Sequence, residues 1–285
     1  MKRVWKAVIA GVIIAVGGVI VLLCALGAAG WNYQSVTEWE EDTYVATNAV
    51  TKLNVKVNAG KVVIKRGDTD TVSIKYQHND VYKTEISQST NGTLNVEAGK
   101  KEWYNITFWY KFTPPTTEIE IGQNCTPTID LTLNAGTVNI GDSDWGERID
   151  VTINAGTVTF GELTVDKLTV KINAGKMSAN KIDCQQVTCE LNAGGFEVKE
   201  IACDTFDCDI SAGSVDVKKL DSRSIKVDVS AGAANLNVAG SKSDYNIKVD
   251  KSAGSCNVSN QTGTDPTKHI DVDVSAGSVT ITFDN

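Results

Sequence analysis

Residues 170–194 read VKINAGKMSANKIDCQQVTCELNAG, and the Asn-Ala-Gly triplet that starts at Asn173 recurs at Asn192. From Asn134 onward such triplets follow one another at nearly constant steps of about 19 residues, which lengthen to about 23 residues near the C-terminus. Internal repeats of this length indicate stacked units, because one unit alone cannot bury its apolar face. The triplets, Asn-Ala-Gly at first and Ser-Ala-Gly later, start at Asn58, Asn134, Asn154, Asn173, Asn192, Ser211, Ser230, Ser252 and Ser275.

Apolar and polar residues alternate on both sides of each triplet, for example at Val170 and Ile172 before one triplet and at Phe196 and Val198 after the next. A period of two predicts β-strands. The triplet interrupts this alternation, so we expect a sharp corner there, with the glycine at positive φ and the small alanine packed inward. Two further breaks in phase within each repeat predict about three short faces per coil.

The sequence therefore predicts an all-β fold, a β-solenoid resembling a parallel β-helix with about 19 residues per coil over residues 131–285. Coils stacked about 4.8 Å apart would place the corner asparagines in one hydrogen-bonded column. Lys251 would then fall at an inward position and would need a local bulge or a side chain that reaches solvent. The predicted corner residues are Asn134, Gly136, Asn154, Gly156, Asn173, Gly175, Asn192, Gly194, Ser211, Gly213, Ser230, Gly232, Ser252, Gly254, Ser275 and Gly277.

An uncharged apolar stretch, residues 7–29, lies near the N-terminus. As a helix it would span a hydrocarbon core of about 30 Å, so it predicts an uncleaved, single-pass transmembrane signal anchor. The basic residues before it place residues 1–6 in the cytoplasm and the remaining chain outside it. The alternative is a cleaved signal peptide, which would leave a secreted protein. Residues 30–50 would be a juxtamembrane linker.

Residues 51–130 are predicted to be an irregular β part. Residues 53–64 match one coil, and residues 94–100 suggest a degenerate coil between that one and the coil of Asn134, because the triplets at Asn58 and Asn134 lie four repeat lengths apart. Residues 101–115, KEWYNITFWYKFTPP, are aromatic and depart from the pattern. They would cap the open end of the stack, or form an exposed aromatic patch for sugars or lipid.

Charge and composition exclude several classes of function. The net charge is −8, and residues 31–285 carry −11, because the only charged residues before them are three basic ones. Such a surface repels phosphate backbones, so we expect no nucleic-acid partner. Two histidines and no Cys-X-X-Cys motif give no basis for a zinc site. Stacked cysteines such as Cys184 and Cys203 are interpreted as core thiols rather than disulfides. We expect no cofactor and no enzymatic activity, since no known catalytic motif is present.

One outward column of the repeat is acidic. Lys226 and Lys248 lie near it and would offset part of the repulsion between like charges. The alternative is that the column binds calcium or a cationic surface, although no calcium-loop motif is present. The column consists of Glu190, Asp209, Asp228, Asp250 and Asp273.

The basic N-terminus, the apolar segment, the irregular first third and the triplet repeats together resemble the bacterial β-strand-repeat proteins called putative adhesins, a toast-rack domain of unknown function. What carries over residue by residue is only the corner triplets, such as Asn154-Ala155-Gly156 and Ser230-Ala231-Gly232. The resemblance implies a membrane-anchored member without established enzymatic activity.

Three hypotheses for function follow. The first is a non-catalytic, extracytoplasmic β-repeat protein that contacts an envelope protein, a wall polymer or another cell, as an adhesin does. The second is an envelope-stress sensor or regulator that signals through its membrane helix. The third is a polysaccharide-active enzyme, which would need a cluster of carboxylates and basic residues that the sequence does not bring together.

Overall fold

The computed structural model describes residues 38–101 and 114–284. Residues 39–285 form one unit and residues 1–38 another. The predicted cytoplasmic segment 1–6, the predicted anchor 7–29 and most of the aromatic insertion 101–115 lie outside the described residues. Within those residues, no helix has the length and apolar character needed to cross a membrane.

The described residues form strands connected by turns, together with one short 3-10 helix, Lys242–Asp244. The prediction of an all-β fold is therefore confirmed for the described residues. The strands are β1 Glu40–Val45, β2 Lys52–Val57, β3 Lys61–Gly67, β4 Val72–His78, β5 Tyr82–Gln88, β6 Thr93–Lys101, β7 Thr116–Gly122, β8 Thr128–Leu133, β9 Thr137–Ile140, β10 Ser143–Asp144, β11 Arg148–Ile153, β12 Thr157–Ile172, β13 Gly175–Val229, β14 Ala233–Ala239, β15 Asn246–Lys251, β16 Ser255–Cys256, β17 His269–Val274 and β18 Ser278–Asp284.

Parallel pairing between successive repeats organises the middle of the chain. Strand β12 pairs with β13 in parallel, and each residue lies opposite its equivalent in the next repeat, as Val170 does with Cys189. Val151 of β11 pairs with the same Val170 from the other side. Because this offset equals the repeat length, equivalent inward residues lie in files, and the apolar members of those files are buried.

The N-terminal layers do not stack in chain order. Strand β2 pairs directly with β8 on one side and with β6 on the other. The triplet at Asn58 is therefore next to the triplet at Asn134, and residues 94–100 lie on the far side of β2. Residues 94–98 do form a layer in parallel register with β2, as predicted for a degenerate coil, but this layer does not lie between the layers of the two triplets. The sequence between them instead runs out to the end of the stack, where β4 and β5 pair antiparallel with β7 and β6.

The C-terminal layers also exchange their order. Strand β17 pairs with residues 224–229 of β13, and β15 pairs with the outer side of β17. In the stack, the layer of β17, which precedes Ser275, therefore lies between the layer of β13 and that of β15, which precedes Ser252. Lys251 is opposite Val274, in the inward file, but at the outermost layer, where its side chain is exposed. The exchange of order therefore leaves this lysine at the end of the core, and no bulge in the middle of the stack is needed.

Further segments of the chain pair with the outer layers at the two ends of the stack. Strand β1 pairs antiparallel with β4, so the described part of the predicted linker 30–50 contributes a strand to the sheet. Its acidic residues Glu40, Glu41 and Asp42 suit an exposed edge, because charge discourages pairing with a further chain. At the opposite end, Ile247 and Gln261 exchange backbone hydrogen bonds of 3.0 and 2.9 Å, which covers part of β15.

Two aromatic side chains fill the ends of the face that contains Leu163 and Ile182. Trp145 is 0% exposed and lies under the guanidinium of Arg66, 4.6 Å from the ring centre. Tyr245, also 0% exposed, donates its hydroxyl hydrogen bond to the carbonyl of Ser222 at 3.0 Å. The two rings lie at the two ends of the column of stacked aliphatic side chains. They therefore close the core at both ends of this face.

Candidate functional site

The corner asparagines form a continuous hydrogen-bonded column. Each Nδ2 donates to the Oδ1 of the next asparagine in the stack, so that all the amide dipoles point the same way. The donor–acceptor distances are 2.8 Å for Asn192 to Asn173, 2.7 Å for Asn173 to Asn154, 2.7 Å for Asn154 to Asn134 and 2.8 Å for Asn134 to Asn58.

A carboxylate terminates this column. Asn58 donates its Nδ2 to Oε1 of Glu97 at 2.8 Å, and Lys56 Nζ lies 2.9 Å from the same oxygen. The hydrogen bonds from Lys56 and Asn58 lower the pKa of Glu97, because they favour its charged form. The positive ends of the amide dipoles thus meet a fixed negative charge. The serine corners from Ser211 onward do not extend the described chain of side-chain bonds.

The corner glycines are required for two different reasons. Gly136, Gly156 and Gly194 have φ of 112°, 114° and 130°, in the region that favours glycine, as predicted. Five other corner glycines lie outside this region of φ, so the expectation is wrong there. A Cβ at these five positions would lie 2.4–2.8 Å from the carbonyl oxygen of the adjacent corner glycine, a close contact that the three glycines with positive φ share. The five residues are Gly175, Gly213, Gly232, Gly254 and Gly277.

The alanines of the corners point outward, contrary to the expectation that they pack inward. The reason is the close approach of successive glycine backbones, which leaves no room inside the corner. Their methyl groups form an exposed file along the stack. Its members are Ala135, Ala155, Ala174, Ala193, Ala212, Ala231, Ala253 and Ala276.

The structure places three of the five predicted acidic residues opposite one another, in an order that differs from the chain. Asp228 is opposite Asp273, which is opposite Asp250 on the outermost layer. Glu190 is opposite Lys171, and Lys171 Nζ lies 2.6 Å from its Oε1.

Lysines within this column and beside it offset part of the negative charge. Lys226 hydrogen-bonds to Asp228 at 2.7 Å, and this bond raises the pKa of Lys226. Lys248 lies 3.6 Å from Asp271 in the neighbouring file. Across the described residues, no three side chains of the metal-binding types are grouped closely enough to hold an ion.

A shallow groove, which the sequence did not predict, lies on the outer surface just after the corners. Its cavity volume is about 340 Å³. The layers contribute residues from three equivalent positions to the lining of the groove. The first position holds a polar residue, the second an apolar residue, and the third is where the alternation of apolar and polar residues next breaks. The lining residues are Thr159, Phe160, Ser178, Ala179, Asn180, Glu197, Val198, Lys199, Asp216 and Lys218. The sequence signal that marks this position is the loss of alternation after Val198.

The described cysteines are free thiols. Cys189 and Cys208 are buried, and Cys184 and Cys203 are partly buried. A hydrogen bond with the thiol of Cys203, together with burial, raises the pKa of Cys184. These thiols fill the same inward files as valine in other layers, as the pairing of Val165 with Cys184 shows.

Comparison with known proteins identifies the family. The model of the family described as Toastrack DUF4097 matches residues 50–282. The chain belongs to this Toastrack family. The predicted resemblance is therefore confirmed. Among the curated proteins, no match was found.

Solved structures share the fold with low identity. A putative adhesin from Parabacteroides merdae has a TM-score of 0.59 and 11% identity, over 86% of this chain and 97% of that one. A putative adhesin from Parabacteroides distasonis has a TM-score of 0.57 and 12% identity, over the same shares of the two chains. A putative lipid binding protein from Parabacteroides distasonis has a TM-score of 0.51 and 17% identity, over 85% of this chain and 96% of that one. At such identities the likeness shows the fold alone.

Proposed function

We propose that this Toastrack protein is a non-catalytic, membrane-anchored β-solenoid that lies outside the cytoplasm and binds a cell-envelope partner through its outer faces, as an adhesin does. The observation that carries this proposal is the in-register stacking of layers at an offset of one repeat. It turns each outward position of the repeat into a file of polar side chains, while the apolar side chains of the inward files are buried. A repetitive surface of this kind suits a repetitive or extended partner.

Two further observations support the proposal. The names of structural relatives include adhesins. The uncharged segment 7–29 and the basic residues before it favour an anchor that leaves residues 30–285 outside the cytoplasm.

The location is tested first. Intact cells that produce the full-length protein with a C-terminal epitope are treated with an external protease, and the epitope is followed by immunoblotting. We expect the epitope to be lost from intact cells and the protein to sediment with membranes after an alkaline wash. An epitope that is cleaved only after lysis would contradict the proposed orientation.

Binding is tested separately from signalling. The full-length protein and a version in which residues 1–29 are replaced by an unrelated membrane anchor are both assayed for retention of purified envelope material. The proposal expects equal retention by the two proteins. If the exchange abolished a cellular phenotype and neither protein retained envelope material, the signalling hypothesis would replace adhesion.

A further inference from the structure

Two cysteine side chains lie one above the other in adjacent layers of the stack. Cys184 lies opposite Val165 of the preceding repeat, and Cys203 follows Cys184 by the same interval of 19 residues. The two thiols share a hydrogen bond, so their sulfur atoms face each other across the interval between the layers. Both side chains are free thiols.

Solvent reaches this pair, whereas it does not reach a second pair in the same two layers. Cys189 and Cys208 are also one repeat apart, but each is only 1% exposed. Cys184 and Cys203 are partly buried, and Gln185, which follows Cys184 in the chain, is exposed. A dissolved ion can therefore contact the first pair of thiols without any opening of the core.

The spacing of the layers suits a bridging ion better than a disulfide. Adjacent strands lie about 4.8 Å apart, and parallel side chains keep about that separation at Cβ. A disulfide prefers Cβ atoms about 3.8 Å apart, so the two layers would have to approach by about 1 Å against their ladder hydrogen bonds. Two metal–sulfur bonds of about 2.3 Å in a straight line span about 4.6 Å, which is close to the interval already present.

The file that contains the pair supplies two sulfur ligands and no third one. The equivalent positions in the layers on either side hold Val165, which has no ligating atom, and Ser222, whose hydroxyl is a poor ligand for a soft ion. Across the described residues, no three side chains of the metal-binding types form a group that could hold an ion. Zinc needs about four ligands, whereas copper(I) and silver(I) favour thiolates and accept two of them in a line.

Hydrogen bonding supports the charge that such a complex carries. A monovalent ion between two thiolates leaves one net negative charge on the pair. The hydrogen bond from Cys184 lowers the pKa of Cys203, and the hydroxyl of Ser222 acts in the same direction. The contact with Ser222 stays available when the ion replaces the proton between the sulfurs. Arg223 pairs with Asp204, which reduces the repulsion from that nearby carboxylate.

The geometry points to Cys184 and Cys203 as a binding site for one soft monovalent metal ion, copper(I) or its analogue silver(I), held in a line between the two sulfur atoms. Each thiol releases its proton to solvent as its sulfur–metal bond forms, and neither the sulfur nor the metal changes its oxidation state. The site goes beyond the proposed function, because it uses two file residues beside the core and needs no envelope partner.

The test uses the full-length protein in detergent and silver(I), which needs no reductant. The protein is mixed with silver(I) in the presence of excess glutathione and desalted, and the retained metal is counted by mass spectrometry. We expect one silver ion per protein, because two thiols on one scaffold outcompete separate thiols, and no retained zinc under the same conditions. Retention of zinc in equal amount, or loss of all the silver to glutathione, would overturn the inference.

Two single variants locate the site. Cys184→Val and Cys203→Val each introduce the residue that the same file holds at Val165, so both should fold, which a thermal melt verifies. Each variant should bind silver(I) about a hundredfold more weakly, because one thiol is left. The double variant Cys189→Val/Cys208→Val removes the buried pair and is the matched control, for which no change is expected. An equal loss in this control would contradict the assignment.

The coordination is tested directly. X-ray absorption of the copper(I)-loaded protein should show two sulfur neighbours around the metal, and three or more neighbours would refute the two-sulfur site. Thiols are also counted in protein purified in air, before and after reduction. Equal counts are expected, whereas a deficit of two thiols that reduction restores in the wild type but not in Cys184→Val would show that the pair forms a disulfide instead.

Discussion

Two adjacent glycines at the corner that begins with Asn192 allow a sharp test of the corner geometry. Gly194 has φ of +130°, and a Cβ built on it would lie 2.1 Å from the carbonyl oxygen of Gly175 in the next layer. Gly195 lies outside the left-handed region, and its Cβ would be 3.8 Å from the nearest heavy atom, Ser214 Oγ. The same chemical change, glycine to alanine, therefore meets opposite surroundings at consecutive positions.

The expected magnitudes follow from these geometries. In Gly194→Ala, the positive φ costs about 1–3 kcal/mol. Relief of the clash requires two backbones to separate, and each ladder hydrogen bond lost costs about 1 kcal/mol more. We expect a total of about 3–5 kcal/mol. Gly195→Ala should be neutral or should stabilise the protein by about 0.4–1 kcal/mol, because alanine restricts the unfolded chain.

Equilibrium unfolding in urea measures the difference. Trp145 is fully buried and reports loss of the core by fluorescence, and far-ultraviolet circular dichroism reports loss of the strands. The midpoint for Gly194→Ala should fall well below that of the wild type, while that for Gly195→Ala should not. Gly175→Ala, where φ is not positive but the Cβ would lie 2.6 Å from Gly156 O, should be intermediate. Equal midpoints for the variants at 194 and 195 would refute this account of the corner.

Three further predictions concern side chains. Asn154→Ala removes two bonds of the asparagine column and should destabilise the protein by about 1–2 kcal/mol in urea unfolding, whereas Ser211→Ala, at a corner outside the described column, should change little. Arg66 donates hydrogen bonds to the carbonyls of Gly122 and Cys125 at 3.1 and 2.5 Å. Arg66→Met should therefore lower the free energy of unfolding by about 2–4 kcal/mol in the same assay, and Arg66→Lys should retain only part of that stability. Because the pKa of Glu97 is lower in the folded protein, its charge stabilises the fold above the ordinary value of 4.5 and this contribution is lost as pH falls below it. Glu97→Gln should therefore reduce the fall in melting temperature between about pH 5 and about pH 3, and an unchanged fall would contradict the role of this carboxylate.

The repeat itself was predictable because its signals are local. The alternation around Val170 and Ile172 identifies strands, and the constant interval between triplets identifies which residues lie opposite one another. The asparagine column follows directly from these two facts. The direction of the corner alanines did not follow, because it depends on how closely two glycine backbones approach in space.

The groove also needed the tertiary structure. Its residues come from equivalent positions of four layers, so the sequence contained the pattern. Whether those positions are concave depends on how the faces meet after Val198, and a loss of alternation marks only the place where the chain turns. The pairing of Asp216 with Lys218 and of Glu197 with Lys176 is likewise a matter of side-chain geometry.

The sequence alone determined the strands, the length of the repeat and the division into inward and outward residues, since each depends on neighbours along the chain. The tertiary structure decided the order of the layers. One Asn-Ala-Gly or Ser-Ala-Gly layer is nearly equivalent to another as a partner, so local pattern cannot tell which layers touch. The order of the layers depends on which side chains can be buried. The layer of Lys251 lies outermost, where the charge of this lysine stays in water. At the other end, the layer of Asn58 pairs directly with that of Asn134, and antiparallel strands cover the end of the stack.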